Sequence, residues 1–340
     1  MPFLSLTQEN AADRQMLESC LPLWAHLAAS TGQADPFCCS PVWQLTFRQT
    51  FTADRRLFFL AAPAGLAVFT EFRAGPERIF LAPPENGWLF GTPVLGPEGG
   101  EVLAACLATF EQTYAPAFPH IILSGIRPGG AFADLLLRRF GDAFAFFRHG
   151  LSVQCAASLS GGLDGYLSRR SANHRAKLRK AARIAAGCGV SFTRYMPASA
   201  EAADMLYARM LAVEAKSWKG IGHCGMTESP AREFYAALVR RLAALGTLRI
   251  IMARNHDEDI GFIFGGLCGS VYRGQQFSYA ATERRLSLGN LLQLETLKWL
   301  CEEGIQRYDM GPVTGPRMEY KQHWTEENHE IQTWIMVKRY

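Results

Sequence analysis

No lysine occurs in the first 160 residues of this 340-residue chain, although lysine and arginine together number 35. Up to Ser160, ten arginines stand against thirteen acids, a net −3; the whole chain carries +4, so the remainder carries +7. Long apolar runs are also missing. The longest, Leu57 to Phe69, is broken by Pro63 and Gly65, well short of the roughly 20 residues of a spanning helix. The first residues, MPFLSLTQENAADRQ, lack a basic region followed by an apolar one. No membrane insertion is therefore expected, and a cytoplasmic location is. There is no C-x-x-C among the nine cysteines, an odd number, and the adjacent Cys38 and Cys39 cannot easily bridge each other. That pattern fits reduced, mostly buried thiols and argues against a disulfide frame or a metal site.

With 49% hydrophobic and 19% charged residues, the composition is that of a folded globular protein rather than a disordered one. The length allows two domains with ordinary cores. The glycine-bearing seam Ser158-Leu-Ser-Gly-Gly-Leu163 is the expected boundary, giving an N-terminal domain over 1–157 and a C-terminal one over 158–340. Each half reads as helices, an antiparallel meander, then helix and strand, so the fold class is α/β with mixed, mostly antiparallel sheets. Ser229-Pro230 predicts a helix start with proline at its first position. Its apolar face would be Phe234, Leu238, Leu242 and Leu245, and Gly246 would end it.

Between Arg169 and Arg183 lie seven cations (Arg169, Arg170, Arg175, Lys177, Arg179, Lys180 and Arg183) and no acid. The block is a solvated helix face or the contact for an anionic ligand; tRNA is the third reading. It holds no Phe, Tyr or Trp on which a base could stack.

The stretch Val271–Met310 reads strand, basic loop, helix, strand, with Arg284, Arg285, Ser287 and Gly289 before the helix. Free amides at a helix N-terminus, with the positive end of its dipole, suit a phosphate or pyrophosphate. Small residues let such a ligand approach the backbone, and an arginine can fork onto phosphate oxygens. The alternative is a tight turn with two solvated arginines.

Seven landmarks in order carry a resemblance from about Arg169 to Trp324. They are the basic helix with His174-Arg-x-Lys-Leu-Arg-Lys180, Glu214-Ala-Lys-Ser-Trp218-Lys219-Gly220, Glu233-Phe234-Tyr235 and the strand ending Tyr279-Ala-Ala281. Ser287-Leu-Gly289-Asn-Leu-Leu292, Tyr308-Asp309-Met-Gly311 and Tyr320-Lys321-x-x-Trp324 follow. This half resembles the GNAT acyltransferase superfamily, in its BioF/CelD-like branch related to the Fem-type aminoacyl transferases. The resemblance implies a splayed mixed sheet with acyl-CoA in the gap and its pyrophosphate on the loop Arg284-x-x-Ser287-x-Gly289. Serine there replaces the first glycine of the usual Q/R-x-x-G-x-G/A pattern. The donor groups would be Arg284, Arg285 and the main chain of Ser287, Leu288, Gly289 and Asn290. Asp35-Pro-Phe37, Ser40-Pro41-x-Trp43 and Gly91-Thr-Pro-Val-Leu-Gly96 are similar to what precedes this domain in the same branch. They would make the first half a degenerate second GNAT-like unit framing the acceptor pocket.

Acyl transfer to an amine requires a proton acceptor, oxyanion stabilisation and protonation of the leaving group. The family places a main-chain N–H of the strand before the loop, here Phe277–Ala281, on the oxyanion. Glu214, beside Trp218, is the first choice for general base or amine anchor; a solvated carboxylate pairing with Lys216 or Lys219 is the alternative. Asp309 stands at a strand's C-terminal end, where open α/β sheets bind ligands, or else it holds the following turn. Tyr279 could protonate the leaving group or be a core tyrosine. Lys321 and His323, with Tyr320 and Trp218, could hold the acceptor or donor, or belong to a loop pinned by Trp324. In Fem-type relatives a lysine in a comparable position to Lys321 takes part in catalysis. The expected activity is acyl-CoA-dependent N-acylation of a small-molecule, sugar or amino-acid amine. Aminoacyl-tRNA-dependent transfer and an inert binding protein are the alternatives.

Overall fold

The computed structural model describes residues 3–6, 11–32, 35–75, 78–313 and 315–340, the side chains of 3–6, 11, 12, 284, 316 and 317 excepted. Its chain divides into two units, Met1–Gln154 with His329–Tyr340, and Cys155–Asn328. Within the first lie β1 (Phe3–Leu6), α1 (Ala11–Ala29), α2 (Pro41–Phe51), β2 (Leu57–Ala62), β3 (Gly65–Ala74) and β4 (Arg78–Ala82). The short β5 (Val94–Leu95), α3 (Gly99–Tyr114), β6 (His120–Ile126), α4 (Ala131–Phe140) and the start of β7 (Phe144–Ser158), whose last four residues fall in the second unit, complete the run. β1 to β4 form an antiparallel meander. α3 then crosses over so that β6 pairs parallel to β4, Phe80 against His120 and Leu81 against Ile121.

β2 shows why this sheet reads as a continuous apolar run. Phe58 and Leu60 pack with Val102, Leu103 and Phe110 of α3, while Leu57, Phe59 and Ala61 pack with Leu17 and Trp24 of α1. A strand covered on both faces needs apolar residues at every position. Each fully buried Phe or Leu contributes about 1.5–3 kcal/mol relative to exposure.

The loop after β4 brings the N-terminal motifs together. Glu85, wholly buried, accepts hydrogen bonds from the Trp43 indole N–H and the Gly91 amide. Its own amide donates to Gln44 Oε1 at 3.2 Å, and Gln44 donates to the Cys38 carbonyl at 2.7 Å. Burial, helped by the nearby Asp35 charge, pushes the Glu85 carboxyl up to about 8 against the pull of its N–H donors. These motifs thus build an internal polar knot.

The second unit holds α5 (Gly162–Ser168), α6 (Ala172–Gly187), β8 (Val190–Tyr195), α7 (Ala200–Ala215), α8 (Trp218–Ile221) and α9 (Ala231–Ala244). The meander β9 (Leu248–Asn255), β10 (Glu258–Cys268) and β11 (Val271–Tyr279) follows, then a 3-10 segment (Ala281–Leu286), α10 (Leu288–Glu302) and β12 (Arg307–Pro312). A second 3-10 segment (Pro316–His323) leads to β13 (Glu327–Lys338). β8, β9, β10 and β11 pair antiparallel in that order, and β12 joins β11 in parallel through the α10 crossover. The order of elements largely repeats that of the first unit.

α9 begins at Ala231 with Pro230 as N-cap, one residue later than its proline predicts. Phe234, Leu238 and Leu242 are buried, but Leu245 is the C-cap and 64% exposed. The helix ends before its periodic stripe reaches Leu245. Chain order alone assigns the whole C-terminal end to the second domain. The contacts instead return His329–Tyr340 to the first unit, because β13 pairs antiparallel with β6, Met336 against Ile121. Among the described residues, no helix is long and apolar enough to cross a membrane.

Candidate active site

β11 and β12 pair only over Val271–Arg273 and Arg307–Asp309. Opposite β10, β11 carries a bulge between Gly274 and Gln276, the kind of insertion that bends a strand. Beyond it, the Ala280 amide donates to the Ile260 carbonyl at 2.9 Å. Antiparallel alternation then points the main-chain groups of Ser278 and Gln276 at β10, and those of Phe277 and Tyr279 away from it, toward the side where β12 has diverged. A contact confirms the direction: the Phe277 carbonyl accepts from Lys219 Nζ at 2.9 Å.

At the head of the gap, α10 starts at Leu288 with Ser287 as its N-cap, two residues earlier than the Gly289 landmark predicts. Ser287 sits in the left-handed region, φ 53° and ψ 36°, the conformation the usual glycine would adopt freely. Ser287→Gly should therefore raise stability by about 0.5–1 kcal/mol, checked by urea unfolding; a destabilised variant would deny the strain. The Asn290 amide is used within the turn, donating to the Ser287 carbonyl at 3.0 Å. The helix entrance is therefore left to the amides of Leu288 and Gly289 rather than those of Leu288 and Asn290. A Cβ on Gly289 would stand 3.2 Å from the rings of both Phe277 and Tyr279. Arg285, Ser287 and Asn290 are exposed; the Arg284 side chain lies outside the described residues.

Glu214 is neither solvated nor paired with Lys216. It is wholly buried. One carboxylate oxygen accepts from the Met226 amide at 3.0 Å, the other from the Ser278 hydroxyl. Lys216 instead reaches Glu258 at 2.6 Å. The chain from Ser217 to Met226 wraps this carboxylate so tightly that a Cβ on Gly225 would lie 2.2 Å from its Oε1. The same wrap delivers Lys219: Ser217 Oγ accepts from its amide at 3.1 Å. Lys219 Nζ then donates to Gln276 Oε1 at 2.7 Å as well as to Phe277. Burial lowers the Lys219 ammonium, partly offset by the Glu214 charge.

Across the gap, Lys321 is 7% exposed and donates to the Pro312 carbonyl at 2.6 Å. Burial first, then the Arg273 charge, depress it to about 8; Cys155 and Asp309 raise it and Lys219 lowers it further. Asp309, wholly buried, accepts from the Gly311 amide at 2.8 Å and lies 3.9 Å from Arg273 and 3.7 Å from Arg307. Gly311, at φ 74°, is required there, since a Cβ would fall 2.4 Å from the Arg273 guanidinium.

The remaining expected residues divide. Tyr320 packs on Phe277 with ring centroids 5.6 Å apart, and burial raises its phenol. Trp324 is buried against His174 at 5.0 Å, and its carbonyl accepts from Tyr166 at 2.8 Å, so it pins the segment carrying Lys321. His323 and Trp218 are exposed. The basic block is partly structural: Arg169 and Arg170 meet Glu326, and Arg175 caps α5 carbonyls. Lys177, Arg179, Lys180 and Arg183 face outward. Sequence reasoning overlooked Lys219 as a site group, and Arg273 altogether. The available signal for Arg273 was a charged residue inside the strand Val271-Tyr-Arg-Gly, where solvation is hard to supply.

Residues 168–322 match the acetyltransferase (GNAT) domain. A splayed parallel pair beside a helix entrance is thus found in the segment where the family model aligns. Among solved structures the chain is similar to FemX, at TM-score 0.65 and 12% identity over 98% of this chain and 97% of that one. A conserved protein of unknown function from Bacteroides thetaiotaomicron also matches at 0.65 and 12%, over 94% and 97%. L-PGS from Bacillus licheniformis matches at 0.56 and 14%, over 88% and 92%. At such identities the likeness is one of fold. No curated protein matches.

Proposed function

We propose that this protein is a cytoplasmic N-acyltransferase that moves an acetyl or other acyl group from acyl-CoA to the amine of a small molecule, sugar or amino acid. The observation that carries the reading is the splay of β11 from β12 beside the α10 entrance, lined by outward main-chain groups of β11 and by a depressed lysine. The amides of Leu288 and Gly289, with Arg284 and Arg285 nearby in sequence, would bind the donor's pyrophosphate. An outward N–H of Phe277 or Tyr279 would bond the oxyanion as the tetrahedral centre forms. Lys321, neutral for an appreciable fraction of molecules near neutrality, takes the proton from the attacking ammonium. Tyr279, whose ring borders Gly289, protonates the leaving thiolate. Glu214 acts as a positioning residue, since both its oxygens are engaged internally; Asp309 positions Arg273 and the Gly311 turn. His323, Tyr320 and Trp218 would contact the acceptor.

The test is a thermal-shift titration with acetyl-CoA. At 100 times its dissociation constant a ligand stabilises the fold by about 2.7 kcal/mol, so an upward shift of Tm saturating with concentration is expected. No shift with any acyl-CoA, together with binding of aminoacyl-tRNA, would transfer the assignment to the aminoacyl-tRNA-dependent reaction. No response to either would leave a binding protein.

A further inference from the structure

Both arms of the splay carry a lysine anchored on a main-chain carbonyl, Lys219 on Phe277 of β11 and Lys321 on Pro312 of β12. Neither is within ion-pair distance of a carboxylate among the described residues. The two acids nearby are committed elsewhere, Glu214 to Ser278 and Met226, and Asp309 to Gly311, Arg273 and Arg307. Buried or half-buried cations without a counter-charge are costly, and an anionic group brought in by a ligand relieves that cost.

Lys219 is also held in place with unusual care. Gln276 Oε1 accepts from it while Gln276 Nε2 donates to the Tyr235 hydroxyl at 2.7 Å, so the amide oxygen is locked toward the ammonium. The Phe277 ring lies 5.8 Å away. The tight wrap at Gly220 and Gly225 fixes the segment on which it rides. Two of its three N–H donors are used on neutral acceptors, and the partly exposed side chain keeps the third for a ligand. Such support suits a first contact to substrate more than a surface lysine.

We infer that the acceptor carries a carboxylate close to its reactive amine, as amino acids do, and that Lys219 binds that carboxylate while Lys321 handles the amine's proton. The inference rests on the acyltransferase reading and narrows its acceptor to anionic amines. The positive field that Lys219 and Arg273 exert on Lys321 would be partly neutralised on binding, coupling acceptor recognition to the proton-handling group.

The experiment offers common L-amino acids and their primary amides, first to the protein alone in calorimetry and then with acetyl-CoA in a thiol-release assay. The wild type should bind at least one acid tenfold or more tightly than its amide and use it with the same preference in kcat/KM. Lys219→Met should raise KM for that acid at least tenfold relative to its amide and so level the two. Lys219→Arg should retain part of the preference. Amides bound as well as acids by the wild type, or a preference that survives Lys219→Met, would overturn the inference whatever the donor proves to be. Acid-selective binding with no thiol release from any acyl-CoA would instead sustain the carboxylate site and sink the donor assignment.

Discussion

Replacing Lys321 by methionine is expected to lower kcat/KM by a factor of roughly 10² to 10⁴, the usual contribution of a positioned proton acceptor, while the protein stays folded. The amine is 7% exposed and held at about 8 by burial and by the Arg273 charge. Its neutral form does the work, so kcat/KM of the wild type should rise with pH and level off above about 8. The variant should lose that inflection, and Lys321→Arg, always charged, should not restore it. Stability has its own sign. The folded-state value lies below the unfolded one of 10.5. The burial penalty is therefore present below about pH 8 and disappears as pH rises toward about 10.5. Methionine, similar in length and uncharged, should accordingly leave stability at pH 7 unchanged or raised, apart from the bond lost to Pro312. A variant that unfolds, or one that keeps full turnover with the same pH profile, would remove Lys321 from the proton-transfer role.

Glu85 in the first unit carries the second large effect. Both its oxygens accept from N–H donors, Trp43 and Gly91. The amide nitrogen of Glu85→Gln must face one of them, costing about 1–3 kcal/mol for a buried donor left without an acceptor. The folded carboxyl titrates near 8 and the unfolded one near 4.5. Between those values the unfolded chain has released a proton that the folded chain retains. Wild-type stability therefore falls as pH rises from about 5 to about 8, at most about 1.4 kcal/mol per pH unit. Glutamine lacks this titration. Urea midpoints measured across that range should show the two proteins converging toward pH 8; divergence would mean that the two N–H donors keep Glu85 ionised throughout.

The expected groups reached the site unequally, and the reason lies in what each depends on. The helix start after Arg285 was legible because small residues and a loss of apolar periodicity mark it locally, although Ser287 rather than Gly289 stands at the boundary. Lys321 was legible because Tyr320, Trp324 and their spacing form a short local pattern. Glu214 read as a general base or amine anchor, with a solvated helix end as the alternative, since nothing nearby in sequence announces that Ser278 and Met226 close around it. Lys219 entered only as one of two ion partners in that alternative, yet its ammonium donates to Gln276 and Phe277 of β11.

Composition and periodicity by themselves determined two α/β units of similar element order, a globular core and a basic second half, because these follow from local propensity and alternation. The ordered landmarks carried the resemblance to GNAT domains, over the segment that matches such a domain. Tertiary structure alone decided three further things: the early parting of β11 and β12, the return of the C-terminal strand to the first unit, and the commitment of each carboxylate to internal donors. Those depend on strand register and on burial, where one residue's slip exchanges the faces of a strand. A charge changes role according to which distant groups share its low-dielectric surroundings.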